Sequence, residues 1–439
     1  MTSPPISSSS TSDDEDQARR TVGNMSTLIG YDIVLRTGWI FKTESVVMPA
    51  FLDLVAGPGW IRGCLLVVNR FGQSIPPTLF AQRLSGLKRK KTALALWTVA
   101  MATPFLALSA GWLVLGDAPP WWMAHLFLLL YGVFSCCHGL TQISYATLQA
   151  KLLPVRLRGR FMLLSVPCGS LAAIAFALWL MGGWLDRSDG GFSQIFAFTG
   201  VCFLLSGGIA LLLRESEDAP RGEVQTAKHP FHDAWSVLRS DRNFRRLAMV
   251  VMPAVIGTVL FPHYQALAHQ RLHLAGDNLM IWVVVQNAAL GVFGLLLGWV
   301  VDRRGERLGL RIAVFAIALA PVIALFVAAQ DVEVGRRWFW LVFIPLGMTP
   351  LSLKTMTGYV LEIAPHHEHP RYLSALSLCL AVPFCFSPLV GWCVDLFGFE
   401  WVFRVGACLI GMAGVLTFTL IEPRHDDHGG LEALPAATD

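Results

Sequence analysis

Six ionisable residues fall inside apolar stretches where a charge is costly. Lys42 and Glu44 stand two apart in one stretch, and Arg70 follows in the next, beside Asn69 and ahead of Gln73. His138, His263 and Lys354 lie in three others. At mid-membrane depth a Lys, Arg or Asp costs about 2.5–3.5 kcal/mol on insertion scales, so its retention points to a function. Lys42, Arg70 and Lys354 against Glu44 leave a net +2 with histidine neutral. That excess suits a carboxylate or phosphate, with Lys42, Arg70, His138, His263 and Lys354 as candidate substrate-binding groups. Glu44 is the expected proton carrier, tuned by burial against the nearby lysine and arginine.

Structural roles stand beside each of these. On a continuous helix Lys42 and Glu44 would point to nearly opposite sides. Glu44 could form a structural ion pair with Arg70, and Lys42 could snorkel to the interface. His138 sits among Ser135, Cys136, Cys137 and Gly139, where a packing histidine fits equally well. His263 follows Pro262, at a place where a helix could break. Lys354 has no acidic neighbour in its own span before Glu362, which favours a cavity role. Thr43, Gln142, Tyr264, Gln265, Gln286, Asn287, Thr355 and Tyr359 could complete a polar site.

The surrounding composition sets the medium. Of 439 residues, 54% are hydrophobic and only 15% charged, against about 25% charged in a soluble domain. An ordinary soluble enzyme and a long disordered chain are both excluded; a polytopic membrane protein is expected. A net charge of +4 gives no reason to expect a nucleic-acid partner. The nine cysteines form no CxxC or Cys/His spacing, so neither a metal site nor a disulfide framework is expected. No HExxH, GxSxG or phosphate-binding glycine loop is present, so no catalytic residue and no cofactor are assigned. The tract His366, His367, Glu368, His369 reads as incidental.

About 20 apolar residues cross a bilayer as a helix. Twelve such spans are found, at 34–55, 61–82, 92–115, 120–147, 161–184, 193–213, 246–268, 278–300, 308–329, 338–363, 372–394 and 399–421. The expected organisation is a disordered tail 1–29, a six-helix bundle 30–213, a central loop 214–245, a second bundle 246–421 and a tail 422–439. Basic residues crowd the loops after spans 2, 4, 8 and 10, which the positive-inside rule makes cytoplasmic. Both termini and the central loop are then cytoplasmic, in a plasma (inner) membrane.

The halves echo each other. Leu153-Pro154 with Arg158 after span 4 matches Ala364-Pro365 with Arg371 after span 10. Spans 5 and 11 end in Gly183-Trp184-Leu185-Asp186 and Gly391-Trp392-Cys393-Val394-Asp395. Weak internal symmetry of this kind marks a transporter made of two related bundles. After span 8 comes Gly298-x-x-x-Asp302-Arg303-x-Gly305-Glu306-Arg307, which is similar to the GxxxDRxGRR loop of the major facilitator superfamily. The loop after span 2 departs from it, with Gln82 ahead of Arg83 where an Asp would stand. Span 5 lacks the GPxxGG signature of many drug–proton antiporters.

The resemblance implies an all-α membrane protein of twelve transmembrane helices in two pseudo-symmetric six-helix bundles. It implies alternating access about a central cavity lined by spans 1, 4, 7 and 10, which hold all the ionisable residues above except Arg70. It makes Gly298, Asp302, Arg303 and Arg307 gating residues, with Gly298 allowing close packing and the Asp–Arg pair latching helix ends. Arg83 and Glu362 are further gating candidates. The expected function is secondary transport of a small organic or phosphorylated anion, with protons as the coupling ion, by a monomer in the lipid bilayer. Efflux of drugs or amphiphiles, and a non-transporting sensor or lipid-handling role, are the alternatives.

Overall fold

The computed structural model describes residues 9–56, 58–85, 87, 89–116, 119–185, 190–217, 230–274, 277–365 and 368–421. In hydrocarbon every backbone polar group must find a partner within its own segment, and only helices and closed barrels satisfy that. The described residues are accordingly helical. The first span consists of α1 (Ser9–Phe41) and α2 (Val47–Val55). Then follow α3 (Gly59–Ser85), α4 (Lys90–Leu115) and α5 (Met123–Leu152). The fifth span is α6 (Val155–Phe176), a π-helical turn at Ala177–Met181, and α7 (Gly182–Leu185); the sixth is α8 (Phe192–Leu211).

The second half begins with α9 (Pro230–Ser240), which occupies part of the expected central loop. The seventh span is α10 (Arg242–Ala254), α11 (Ile256–Val259) and α12 (Phe261–Leu272). Next come α13 (Asp277–Arg304) and α14 (Glu306–Ala328). The tenth span is α15 (Val332–Trp338), α16 (Phe343–Leu346) and α17 (Thr349–Ile363). The last two are α18 (His369–Cys385) with α19 (Ser387–Phe397), and α20 (Phe399–Leu416).

Among the described residues, ten helices are long and apolar enough to cross a membrane. The first two of the twelve expected spans fall outside that set: the first is broken after Phe41, and the second carries Arg62, Asn69, Arg70 and Gln73. Residues 9–25, read from composition as part of a disordered tail, are helical. They extend a helix already nucleated by its packed portion, and elongation is far cheaper than nucleation.

Several spans break and restart. Pro262, Pro350 and Pro388 stand in the first turns of α12, α17 and α19, where a missing N–H costs nothing. The break in the first span likewise precedes a proline, Pro49, in the first turn of α2. There the Thr43 carbonyl accepts from the Met48 amide at 3.0 Å, and its hydroxyl accepts from the Val47 amide at 3.2 Å.

Packing divides the chain into two compact units. Unit 1 holds 1–42, 71–119 and 129–225; unit 2 holds 43–70, 120–128 and 226–439. The division passes through α3 and α5, and it crosses the first span at its break. In unit 1, α4 and α8 approach closely, since a Cβ on Gly200 or Gly207 would collide with Leu106 or Val99. Likewise α3 meets α5 at Gly72, where a Cβ would lie 2.5 Å from that of Ser135. In unit 2, α10, α14, α17, α18 and α20 share one apolar core around Phe244, Val314, Met356 and Ile410. Helix α9 is fastened to it by Arg371, whose guanidinium donates to Ser236 at 2.6 Å. Tyr372 donates to Asp241 at 2.6 Å, and Asp241 also caps the start of α10.

Glu215, just past α8, closes unit 1 on the side of the basic loops. Its carboxylate accepts the Lys90 and Lys91 amides at 3.0 and 2.8 Å and pairs with Lys151 at 2.8 Å. Replacing Glu215 by Ala removes a helix cap and strands a lysine. Thermal unfolding in lipid nanodiscs should show a loss of about 1–2 kcal/mol, and an unchanged Tm would contradict the assignment.

Candidate transport site

The expected site residues are not gathered in one place. They fall into groups that follow from the broken first span. In unit 1, Lys42 ends α1 and is 1% exposed. Its ammonium lies 3.7 Å from the Trp39 ring centroid and 4.7 Å from that of Phe134, and it donates to the Tyr131 hydroxyl at 3.1 Å. It is enclosed by aromatic faces, which attract a cation through their quadrupole. Snorkelling does not occur. His138 belongs to the same cluster, edge-on to Trp39 at 4.5 Å, with Gln142 Nε2 2.8 Å from its own Nε2.

A second polar group of unit 1 lies one to three turns earlier on α1. Asp32 accepts from the Tyr145 hydroxyl at 2.9 Å, and Tyr145 stacks on Tyr31 at 5.6 Å. Ser165 also bonds Asp32, and Arg36 lies within its electrostatic reach. Sequence reasoning missed both residues. The first span was begun at residue 34, which left Asp32 outside it; the i, i+4 spacing of Asp32 and Arg36 was the available signal.

Unit 2 begins at Thr43, in the break itself. Here Asn69 donates to Glu44 at 2.5 Å, and Ser45 donates to the Gln286 side chain at 2.6 Å. Arg70 is half-buried, feels the Glu44 carboxylate, and lies with its guanidinium 4.5 Å from the Phe384 ring centroid. The helical-wheel argument that set Lys42 opposite Glu44 does not apply, because α1 has ended at Phe41, before both. Asn287 bonds back to the Val283 carbonyl in its own helix.

On α17, Ser352, Thr355, Met356 and Tyr359 are buried, and Lys354 is exposed. Thr355 and Tyr359 are committed elsewhere, to the Ser352 and Ile421 carbonyls. His263, on α12, is fully buried, neither ring nitrogen has a hydrogen-bond partner, and its charged neighbour is Arg62. Tyr264 packs edge-on against Phe403 at 4.9 Å.

The residues expected to gate are distributed along the α13–α14 turn and the ends of α17 and α3. A Cβ on Gly298 would meet nothing within 4 Å, so that glycine does not serve close packing. Gly305 is the glycine the turn requires, with φ at 86° between α13 and α14. The Asp302 and Arg83 side chains lie outside the described residues. Arg303 stacks on Trp299 of its own helix at 4.3 Å. Arg307 donates to the Phe418 carbonyl at 3.2 Å, and Arg311 reaches Thr417 at 3.2 Å. Glu362 is half-buried at the end of α17. His366 and His367 lie outside the described residues; among those described, no three His, Cys, Asp or Glu side chains could hold a metal ion.

Long apolar helices interrupted at mid-span, with amides, hydroxyls and charges at the interruption, are the construction of a membrane transporter. The comparisons agree. The sequence matches the Major Facilitator Superfamily over residues 74–388, and the chain belongs to that family. It is a multi-pass integral membrane protein with the family's twelve-helix fold, a transporter and not an enzyme. Among solved structures it is similar to the nucleoside transporter NupG, with TM-score 0.71 and 10% identity, over 91% of this chain and 100% of that one. It is similar to a D-xylose-proton symporter, with TM-score 0.66 and 15% identity, over 91% and 98%. It is also similar to a bacterial homolog of the human lysosomal transporter Spinster, with TM-score 0.61 and 13% identity, over 92% and 96%. These identities speak to fold alone. No curated protein sequence matches the chain.

Replacing Trp39 by Leu uncovers the Lys42 ammonium. We expect a stability loss of about 2 kcal/mol in nanodiscs. Combined with Lys42→Met, the loss should be smaller than the sum of the two single losses. Additive losses would show that the ring and the ammonium do not interact.

Proposed function

We propose that the protein moves a small organic or phosphorylated anion by alternating access, with Glu44 as the proton-carrying group. The observation that carries this reading is Lys354. It stands at mid-span on the exposed side of α17, away from the buried stripe of Ser352, Thr355 and Met356. Arg70, half-buried beside Glu44, is the second cation of the proposed pathway. A carboxylate that faces an arginine can hand its charge to a proton or to an incoming anion, which is the linkage that proton coupling needs. Lys42 then serves by holding the aromatic cluster beside the break rather than by touching solute. We place the termini and the central loop on the cytoplasmic face of a plasma (inner) membrane, by the distribution of basic loops.

One observation favours a second reading. Lys42 is enclosed, and the groups around the break include Asn69, Ser45 and Gln286, which suit hydroxyls and amides. A neutral polar solute would use them, and two proteins of similar fold are a nucleoside transporter and a xylose symporter.

Uptake into proteoliposomes separates the two. The panel is organic acids, sugar phosphates, nucleosides, pentoses and lipophilic cations, each with and without an inward proton gradient. The anion reading expects saturable uptake of an acid or phosphate ester, and a drop of about 10–100-fold in kcat/KM for Lys354→Gln, the worth of a charge-assisted hydrogen bond. Uptake confined to nucleosides or pentoses, unaffected by Lys354→Gln, would overturn it.

A further inference from the structure

On the side opposite the basic loops, the tenth span of unit 2 is irregular. Its turns Phe339–Val342 and Phe343–Leu346 lean on α13. There Phe339 and Phe343 lie 5.4 and 5.0 Å from the Trp282 ring, Phe343 stacked at 11°. The other side of this stretch, with Trp338, Leu341 and Ile344, borders α14 across a groove of about 640 Å³. That volume falls in the roughly 300–1,000 Å³ range of small-molecule sites. Along α14 the lining runs from Ala316 to Gln330. Fourteen residues at 1.5 Å each span about 21 Å, enough to cover one leaflet, which is half of roughly 30 Å of hydrocarbon.

The walls are apolar, and polarity is confined to one end. Gln330 and Trp338 stand there, and Val334 and Trp338 are the groove's residues on α15. Glu333 and Arg337 come immediately before them, four apart and both exposed. A glutamate four residues ahead of a basic residue ordinarily pairs with it on a helix. Among the described residues neither of these side chains makes an ion pair or a hydrogen bond. Arg337 lies 5.9 Å from the Trp338 ring centroid. Arg336 is engaged elsewhere, with the Leu272 and His273 carbonyls. The mouth of the groove therefore carries one open cation and one open anion.

We propose that this groove holds one chain of a zwitterionic phospholipid, with the lipid's phosphate on Arg337 and its ammonium on Glu333. A tail gains little by leaving the bilayer for the groove, because lipid is as apolar as the side chains it meets. Selection therefore falls to the headgroup. An arginine–phosphate contact is charge-assisted and can be bidentate, and Glu333 complements the ammonium of the same headgroup. An anionic lipid would satisfy Arg337 but set a further negative charge beside Glu333. A second groove of unit 2 supplies the contrast. It lies between α19 and α20, has a volume of about 540 Å³ and is also apolar. The charges beside its mouth are spent on one another, since Arg271 and Arg404 both pair with Glu400. That groove should accept tails without preferring a zwitterionic headgroup. The inference is independent of which solute the protein carries.

The test reads lipid binding directly, without solute. The full-length protein is delipidated in detergent and titrated, under native mass spectrometry, with phosphatidylethanolamine or phosphatidylglycerol carrying the same chains. The first phosphatidylethanolamine should bind about threefold more tightly than the first phosphatidylglycerol, the worth of one exposed charge pair. Arg337→Gln should weaken phosphatidylethanolamine binding about threefold, and Glu333→Gln should remove the preference between the two lipids. Arg404→Gln, beside the second groove, should leave phosphatidylethanolamine binding unchanged. Ala316→Phe fills the groove without touching the mouth and should weaken both lipids; if it does not fold, the charge variants still decide. Equal affinity for the two lipids, unmoved by Arg337→Gln and Glu333→Gln, would mean unselective boundary lipid and would overturn the site. Equal losses in Arg337→Gln and Arg404→Gln would overturn its placement in this groove.

Discussion

A backbone amide at membrane depth must find a partner, and the interruption of the first span is where that requirement is met in an unusual way. Between Phe41 and Val47 the helical ladder stops, and Thr43 restarts it with its carbonyl and its hydroxyl together. Irregular backbone at this depth is tolerated only where it is buried in protein or borders water. The interruption therefore obliges the neighbouring helices to supply polar groups. Asn69 and Gln286 engage the Glu44 and Ser45 side chains there, and Arg70 feels the Glu44 carboxylate.

The same interruption explains why neighbouring charges have different fates. Lys42 is the last polar group on the unit 1 side and turns into a box of aromatic rings. Glu44, two residues on, belongs to unit 2 and meets an amide and an arginine. One lysine becomes a structural charge held by cation–π attraction, and the carboxylate is left beside an amide and a guanidinium. Lys354 differs from both because the polar residues around it on α17 are buried and committed while it is not buried.

Hydropathy made the helices and their number legible, since about 20 apolar residues in a row have few other uses. The loop motif and the internal repeat made the family legible. The site was legible only as a set of residue types. Reasoning from a continuous helix set Lys42 and Glu44 on opposite faces; Pro49, which cannot donate to the Ser45 carbonyl one turn earlier, was the signal for the break. Asp32 was set outside the first span because the apolar run starts later than the helix does. Gly298 and Gly305 look alike in the motif, yet only Gly305 has a backbone angle that requires glycine. Which glycine packs and which one turns is decided by coordinates, not by spacing. The close approach of Gly59 and Gly63 on α3 to Gly391 and Ser387 on α19 was equally hidden, because the two sides lie more than 300 residues apart in the chain.

The central claim is that the helical ladder of the first span is interrupted between Lys42 and Val46 at mid-membrane depth, with ordered helix on either side. Amide hydrogen exchange in lipid nanodiscs tests it most directly. The account predicts that amides 43–46 exchange far faster than those of α1 residues 26–40 and of α2, whose hydrogen bonds open only by larger unfolding. Exchange at 43–46 as slow as in those flanking helices would mean a continuous first span, and the account would be wrong.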